Sequence, residues 1–198
     1  MAVGDPCTKS NVEERVRDLR QMETRLGEAF EFDEQLTVVG RRLASGDAAP
    51  EFNLEAFDTA SGAVKNVTLA DSAGRIRLLN VVNSLDTPVC HTGTRHWESL
   101  LPDLPPEVVV MTVSMDLPFA QARWRAAENV DHEALSAHKD VAFGEDYGVL
   151  LKEWRLLQRA VFVIDRHERI AYAEYVPDQM TEPDYEAAVA VVRELPVE

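Results

Sequence analysis

Cysteine is scarce in this chain. Among 198 residues there are two, Cys7 and Cys90. That is too few for a disulfide framework, and they lie too far apart for a C-x-x-C redox pair. The five histidines (His91, His96, His132, His138 and His167) show no H-E-x-x-H or paired Cys/His spacing, which argues against a metal site. No Gly-rich fingerprint follows a strand, so the pattern expected of a nicotinamide-dependent hydride transferase is missing. No apolar run approaches the length of a membrane span, and MAVGDPCTKS lacks the basic and apolar regions of a signal peptide. Cytoplasm is the expected compartment. Positive charge is also in short supply: 20 Lys and Arg against 35 Asp and Glu leave a net −15. Long-range electrostatics therefore oppose binding to nucleic acid or to an anionic membrane surface.

What is present reads as one soluble domain with an extension. The apolar share of 45% and charged share of 28% are ordinary for a globular protein of this size. Residues 1–35 are assigned to an N-terminal extension and 36–198 to the main domain. Ser10 and Glu13 form a capping box, and Val12, Val16, Leu19, Met22, Leu26 and Phe30 recur at helical steps. That pattern predicts an amphipathic helix over 10–30, packed on the domain, on a second copy of the chain, or simply on the surface. Leu36–Val39 and Arg41–Leu43 flank Gly40 and predict a small hairpin. Beyond it, strands are expected at 52–57, 64–69, 76–82, 108–114, 160–164 and 170–176. Helices are expected from Pro88, from Pro118 with Asp116 as cap, near 143–149, and from Pro183 with Thr181 as cap. Strands alternating with helices from the middle onward, then a closing hairpin and helix, argue for an α/β fold with a mixed sheet.

The chemistry concentrates in IRLLNVVNSLDTPVCHTGTRHW, residues 76–97. Its first seven residues are apolar apart from Arg77 and Asn80, as in a strand buried on both faces. Asn83, Ser84 and Asp86 break that run, and Pro88 suits the first turn of a helix. Cys90 follows where unpaired backbone N–H groups and the helix dipole favour negative charge, so the thiolate, the nucleophilic form, is favoured. Around it, Asp86 reads as a turn residue and His91 as solvent-facing. Arg95 either tunes the site or pairs with an acidic neighbour. Trp97, Trp124 and Trp154 read as core or interface aromatics, with Trp124 a candidate wall of a substrate pocket or a dimer contact.

Five segments, GDAAPEF, LDTPVCHTGTR, MDLPFAQARW, LSAHKDVAFGEDYGVL and QRAVFVID, together resemble the thiol peroxidase branch of the peroxiredoxins. The resemblance runs from about residue 36 to 195. It implies a thioredoxin-like fold, reduction of hydrogen peroxide and organic hydroperoxides, a homodimer, and electrons from thioredoxin or a similar dithiol. No metal, flavin or nicotinamide is required. It places Cys90 at the peroxidatic position, Thr87 at the threonine three residues before it, and Arg159 at the arginine of the sheet. Two positions depart from the family pattern. Asn83 stands where the family has a proline seven residues before the cysteine, so altered reactivity is expected. Arg125 stands where many members carry the resolving cysteine. Either one cysteine suffices, reduced directly by an outside thiol, or Cys7 resolves from the N-terminal segment. Two rival readings stand beside this one: a redox sensor or partner-binding protein without turnover, and a thiol–disulfide oxidoreductase.

Overall fold

In the computed structural model, which describes residues 23–196, the chain opens with a hairpin of β1 (Thr24–Glu31) and β2 (Glu34–Val39). The strands β3 (Asn53–Asp58) and β4 (Ala63–Thr68) follow, then β5 (Ile76–Val81), helix α1 (Pro88–Leu100) and β6 (Val108–Ser114). Next come α2 (Pro118–Glu128), β7 (Glu133–Ser136), the short α3 (Ala142–Asp146), and the two-residue strands β8 (Leu150–Leu151) and β9 (Leu156–Leu157). The chain closes with β10 (Ala160–Ile164), β11 (Ile170–Tyr175) and α4 (Tyr185–Glu194).

Seven strands form the main sheet in the order β11-β10-β5-β6-β7-β3-β4, and β1-β2-β8-β9 form a smaller second sheet. β5, β6 and β7 run parallel, while β10 pairs antiparallel with both β5 and β11. This is the mixed α/β sheet the sequence implies, with β5 near its centre and all six of its residues buried. Alternate residues serve opposite faces. Ile76 and Leu78 join Val110, Val161 and Val163 beneath Trp97 of α1 and Ala188, Val189 and Val192 of α4. Leu79 and Val81 join Met111, Val113 and Phe162 on the other face, against Phe143 and Tyr147.

The two polar interruptions of β5 are both satisfied, as burial requires. Arg77 is fully buried and donates to the carbonyls of Leu69, Arg75 and Asp165 and to the Ser72 hydroxyl. Asn80 donates to Thr112 on β6 and to Thr94 on α1, tying the helix to the sheet one turn beyond Cys90.

Three local expectations are corrected. The helix expected over 10–30 falls partly outside the described residues, and where it is described, Thr24–Glu31 is a strand. Gly27 sits at φ 76°, which a helix does not accommodate, and Ala29, rather than Leu26 or Phe30, is the fully buried residue. β1 pairs with β2 around a turn in which Phe32 has φ 51°, so the hairpin precedes Gly40 instead of surrounding it, and Arg41–Leu43 form no strand. Gly40 has a different use: at φ 100°, a Cβ there would lie 2.0 Å from the Glu145 carbonyl, so the close approach of β2 to α3 needs glycine. Finally, the last helix is capped by Asp184, whose side chain accepts from the Ala187 N–H, and not by Thr181.

Candidate active site

Cys90 occupies the third position of α1, behind Pro88 in the first turn and Thr87 at the N-cap. His91 N–H makes a backbone bond to Thr87 O, and the Thr87 side chain makes no cap bond. The first-turn N–H groups at Val89 and Cys90 are therefore left uncapped by it and lie beside the sulfur. Residues 82–87, joining β5 to α1, are pinned from the turn that follows β6. Asp116 accepts from the Ser84 hydroxyl and the Leu85 N–H, each at 2.8 Å, and from the Ser114 hydroxyl at 2.8 Å. This corrects the cap role expected for Asp116, because α2 has Leu117 at its N-cap and no side-chain cap bond. Asp116→Ala leaves the Leu85 N–H and the Ser84 and Ser114 hydroxyls without this acceptor. It should cost about 2 kcal/mol of stability in thermal or urea unfolding.

Pairing of β10 with β5 delivers the second component. Ala160 lies opposite Val81, so Arg159, one residue earlier, sits beside the chain leaving β5. It is 2% exposed, and its Nη1 donates to Cys90 Sγ at 3.3 Å. Gln179, from the loop after β11, holds this arginine twice. Its Oε1 accepts from the Arg159 N–H at 2.9 Å and its carbonyl from Nη2 at 2.8 Å. Arg159 Nε is buried without a hydrogen-bond partner among the described residues, a donor not yet spent.

Above the sulfur lies a pocket of about 390 Å³, lined in part by Thr87, Val89, Asn83 and Arg159 at its floor. Trp154, Leu156, Phe32 and Met180 give it an apolar wall and rim, Phe32 and Met180 being exposed. Thr87 lines the pocket while its hydroxyl donates to Ser84 O at 2.9 Å, leaving its lone pairs free to accept. Cys90 itself is fully buried, in a cluster with Val82, Leu85, Trp124, Val130 and Ala134.

The structure thus brings Cys90, Arg159 and Thr87 to one place, while Cys7 lies outside the described residues. Trp124 packs beneath Cys90 rather than walling the pocket, and Trp154 supplies the aromatic wall. His91 is not simply solvent-facing: it accepts from Trp124 Nε1 at 3.2 Å and stacks edge-on to that ring. Arg95 pairs with Glu128 at 3.6 Å, its acidic neighbour. Arg125 donates to Asp131 O, so α2 carries no thiol at that position. Behind α1, the Tyr185 hydroxyl approaches Gly93 so closely that a Cβ there would lie 2.7 Å from it. Burial first, and then its hydrogen bond to Glu182, push the Tyr185 pKa up and keep it neutral. Gln179 and the Asn83 contact were invisible to sequence reading, because a polar residue in a loop has no periodic signature.

A model of the Redoxin family matches residues 44–189, which contain Cys90, Thr87, Asn83, Arg159 and Gln179. The thiol peroxidase of Streptococcus sanguinis is 47% identical over 161 residues, spanning 81% of this chain and 95% of that protein. This chain belongs to the redoxin family, on its thiol peroxidase branch. The thiol peroxidase of Listeria innocua serovar 6a is 44% identical over 159 residues, 80% of this chain and 93% of its own. Among solved structures, a peroxiredoxin-like protein from Aquifex aeolicus matches with TM-score 0.75 and 32% identity, covering 88% of this chain and 99% of that one. The thiol peroxidase from Chromobacterium violaceum has TM-score 0.75 at 22% identity, covering 84% of this chain and 95% of that one, a likeness in fold. Among the described residues no helix is long and apolar enough to cross a membrane.

Proposed function

We propose that this redoxin is a thiol-dependent peroxidase that reduces hydrogen peroxide and organic hydroperoxides with Cys90 as nucleophile. The observation that carries the reading is the contact of Arg159 Nη1 with Cys90 Sγ at 3.3 Å, below a pocket with an apolar wall. A thiolate at Cys90 attacks one peroxide oxygen and forms the S–O bond. The O–O bond breaks, and the other oxygen leaves as hydroxide or alkoxide. Negative charge moves from sulfur to the departing oxygen, so donors aimed at both atoms stabilise the transition state more than the ground state. Arg159 cannot deprotonate and has N–H groups to spare for the peroxide. Thr87, its own proton given to Ser84 O, accepts the peroxide O–H and orients it. The N–H groups at Val89 and Cys90 add fixed positive ends. The product is a sulfenic acid on Cys90.

Return to the thiol needs two electrons from thioredoxin or a similar dithiol. The sulfenic acid is reduced directly by that outside thiol, or first condenses with Cys7. Trp154 and Leu156 support the organic substrates, since they offer an alkyl group an apolar surface. In this reading the protein is a cytoplasmic homodimer. Residues 36–198 carry the redoxin domain and 1–35 an extension, joined through the β1–β2 hairpin.

The test is steady-state hydroperoxide consumption with a thioredoxin system, followed by intact mass analysis of the parent and of Cys7→Ser. Many turnovers per chain are expected. A Cys7–Cys90 disulfide after oxidation supports Cys7 as resolver, and sulfenic acid on Cys90 alone supports the one-cysteine cycle. Oxidation that halts after one equivalent means a sensor and overturns the reading.

A further inference from the structure

Both ends of the Asn83 carboxamide are assigned by their partners. Nδ2 donates to Leu157 O at 2.6 Å and to Gln179 Oε1 at 3.1 Å, which leaves Oδ1 facing Cys90 Sγ at 3.8 Å. The Gln179 amide is itself fixed, because its Nε2 donates to the carbonyls of Val176 and Pro177. Its Oε1 is therefore the end that receives Asn83 and the Arg159 N–H. Asn83 is 5% exposed and Gln179 2%, so neither exchanges these bonds freely with water. An atom that can only accept is thus held pointing at the reactive sulfur, where proline would offer no polar group.

A carbonyl oxygen does nothing to help a thiolate attack. Its use comes one step later, when the sulfur carries an S–O–H group whose proton needs an acceptor. Turned obliquely toward Asn83, the hydroxyl oxygen one S–O bond from the sulfur comes within hydrogen-bond distance of Oδ1. We propose that Asn83, locked by Gln179, holds the Cys90 sulfenic acid in its protonated form and so protects it from further oxidation. The proposal rests on the peroxidase reading. Overoxidation proceeds from the sulfenate anion: its sulfur lone pair attacks a second peroxide and forms a new S–O bond. The O–O bond breaks, and the departing hydroxide takes the remaining peroxide proton and leaves as water. The product is the sulfinate. The bond to Asn83 exists only while the proton stays on the sulfenic acid, so it opposes formation of the reacting anion. With arginine rather than cysteine at 125, the sulfenic acid waits for an outside thiol or for Cys7, and protection during that wait is what this amide supplies.

The test uses Cys7→Ser as parent, with Asn83→Ala, Asn83→Pro and Gln179→Leu added singly. One equivalent of hydrogen peroxide with a 1,3-dicarbonyl trap gives the rate of sulfenic acid formation, and excess peroxide with intact mass analysis gives the rate of sulfinic acid formation. The ratio of the second rate to the first should rise by roughly threefold to tenfold in both Asn83 variants, the worth of one hydrogen bond. It should also rise in Gln179→Leu, where the amide is free to turn. A loosened pocket changes access for both steps and leaves the ratio in place, so the ratio separates this role from a structural one. A parent that forms the sulfenic acid, with an unchanged or lower ratio in both Asn83 variants, overturns this proposal alone. A parent in which Cys90 takes up no oxygen overturns the peroxidase reading and this proposal with it.

Discussion

Cys90→Ser should abolish peroxide turnover, lowering kcat/KM by about 10³-fold or more. Serine is close to cysteine in shape and the site is fully buried, so the fold has little reason to change. What changes is ionisation. A hydroxyl needs a base to become a nucleophile, and the atoms next to Sγ are a guanidinium nitrogen and an amide oxygen, neither of them a base at neutral pH. The one carboxylate among the pocket residues, Glu31, sits on the hairpin side, where no bond to Cys90 forms. The variant should therefore melt within a few degrees of the parent while its hydroperoxide consumption, followed with a thioredoxin system, falls to background. Consumption at the parent rate would take position 90 out of the reaction.

The sheet and the setting of Cys90 at a helix start were legible in the sequence because each leaves a local pattern. β5, β6 and β10 are short apolar runs bounded by polar or Pro residues, and each is found within a residue of its expected limits. The Pro88–Cys90 start of α1 follows from the same local rules. What failed was decided at longer range. The Leu26 and Phe30 spacing looks helical, yet β1 is held by pairing with β2 and by the bonds of Phe30 to Pro177 and Gln179, some 147–149 residues along the chain. Asp116 reads as a cap because it precedes a helix, but it bonds a loop more than 30 residues away. The two amides beside the site, Asn83 and Gln179, are 96 residues apart. Only β10 and β11 pairing beside β5 brings them together, so no window of sequence contains their relation. The departure from the family pattern at Asn83 marks the position, and the structure shows which way its carbonyl points.

Arg159→Met should lower kcat/KM by about 10²- to 10³-fold, the usual cost of removing a donor aimed at developing charge. Three groups around Arg159 constrain what can stand in for it: sulfur on Nη1, the Gln179 carbonyl on Nη2, and the Gln179 amide on the main-chain N–H. Methionine fills similar volume and retains the main-chain bond. It leaves the Gln179 carbonyl unpaired, a loss of about 1–3 kcal/mol that unfolding measurements should show. Lysine restores charge but not the planar fork, so its single ammonium can serve the sulfur or the carbonyl and not both at this geometry. Arg159→Lys should accordingly recover stability more fully than rate. That split separates a transition-state role from a packing one: if the arginine merely held the loop after β11 in place, rate and stability would return together in the lysine variant. A methionine variant that turns over peroxide as fast as the parent would leave Cys90 to the backbone donors of α1 and to Thr87, and the guanidinium would count only as a strut.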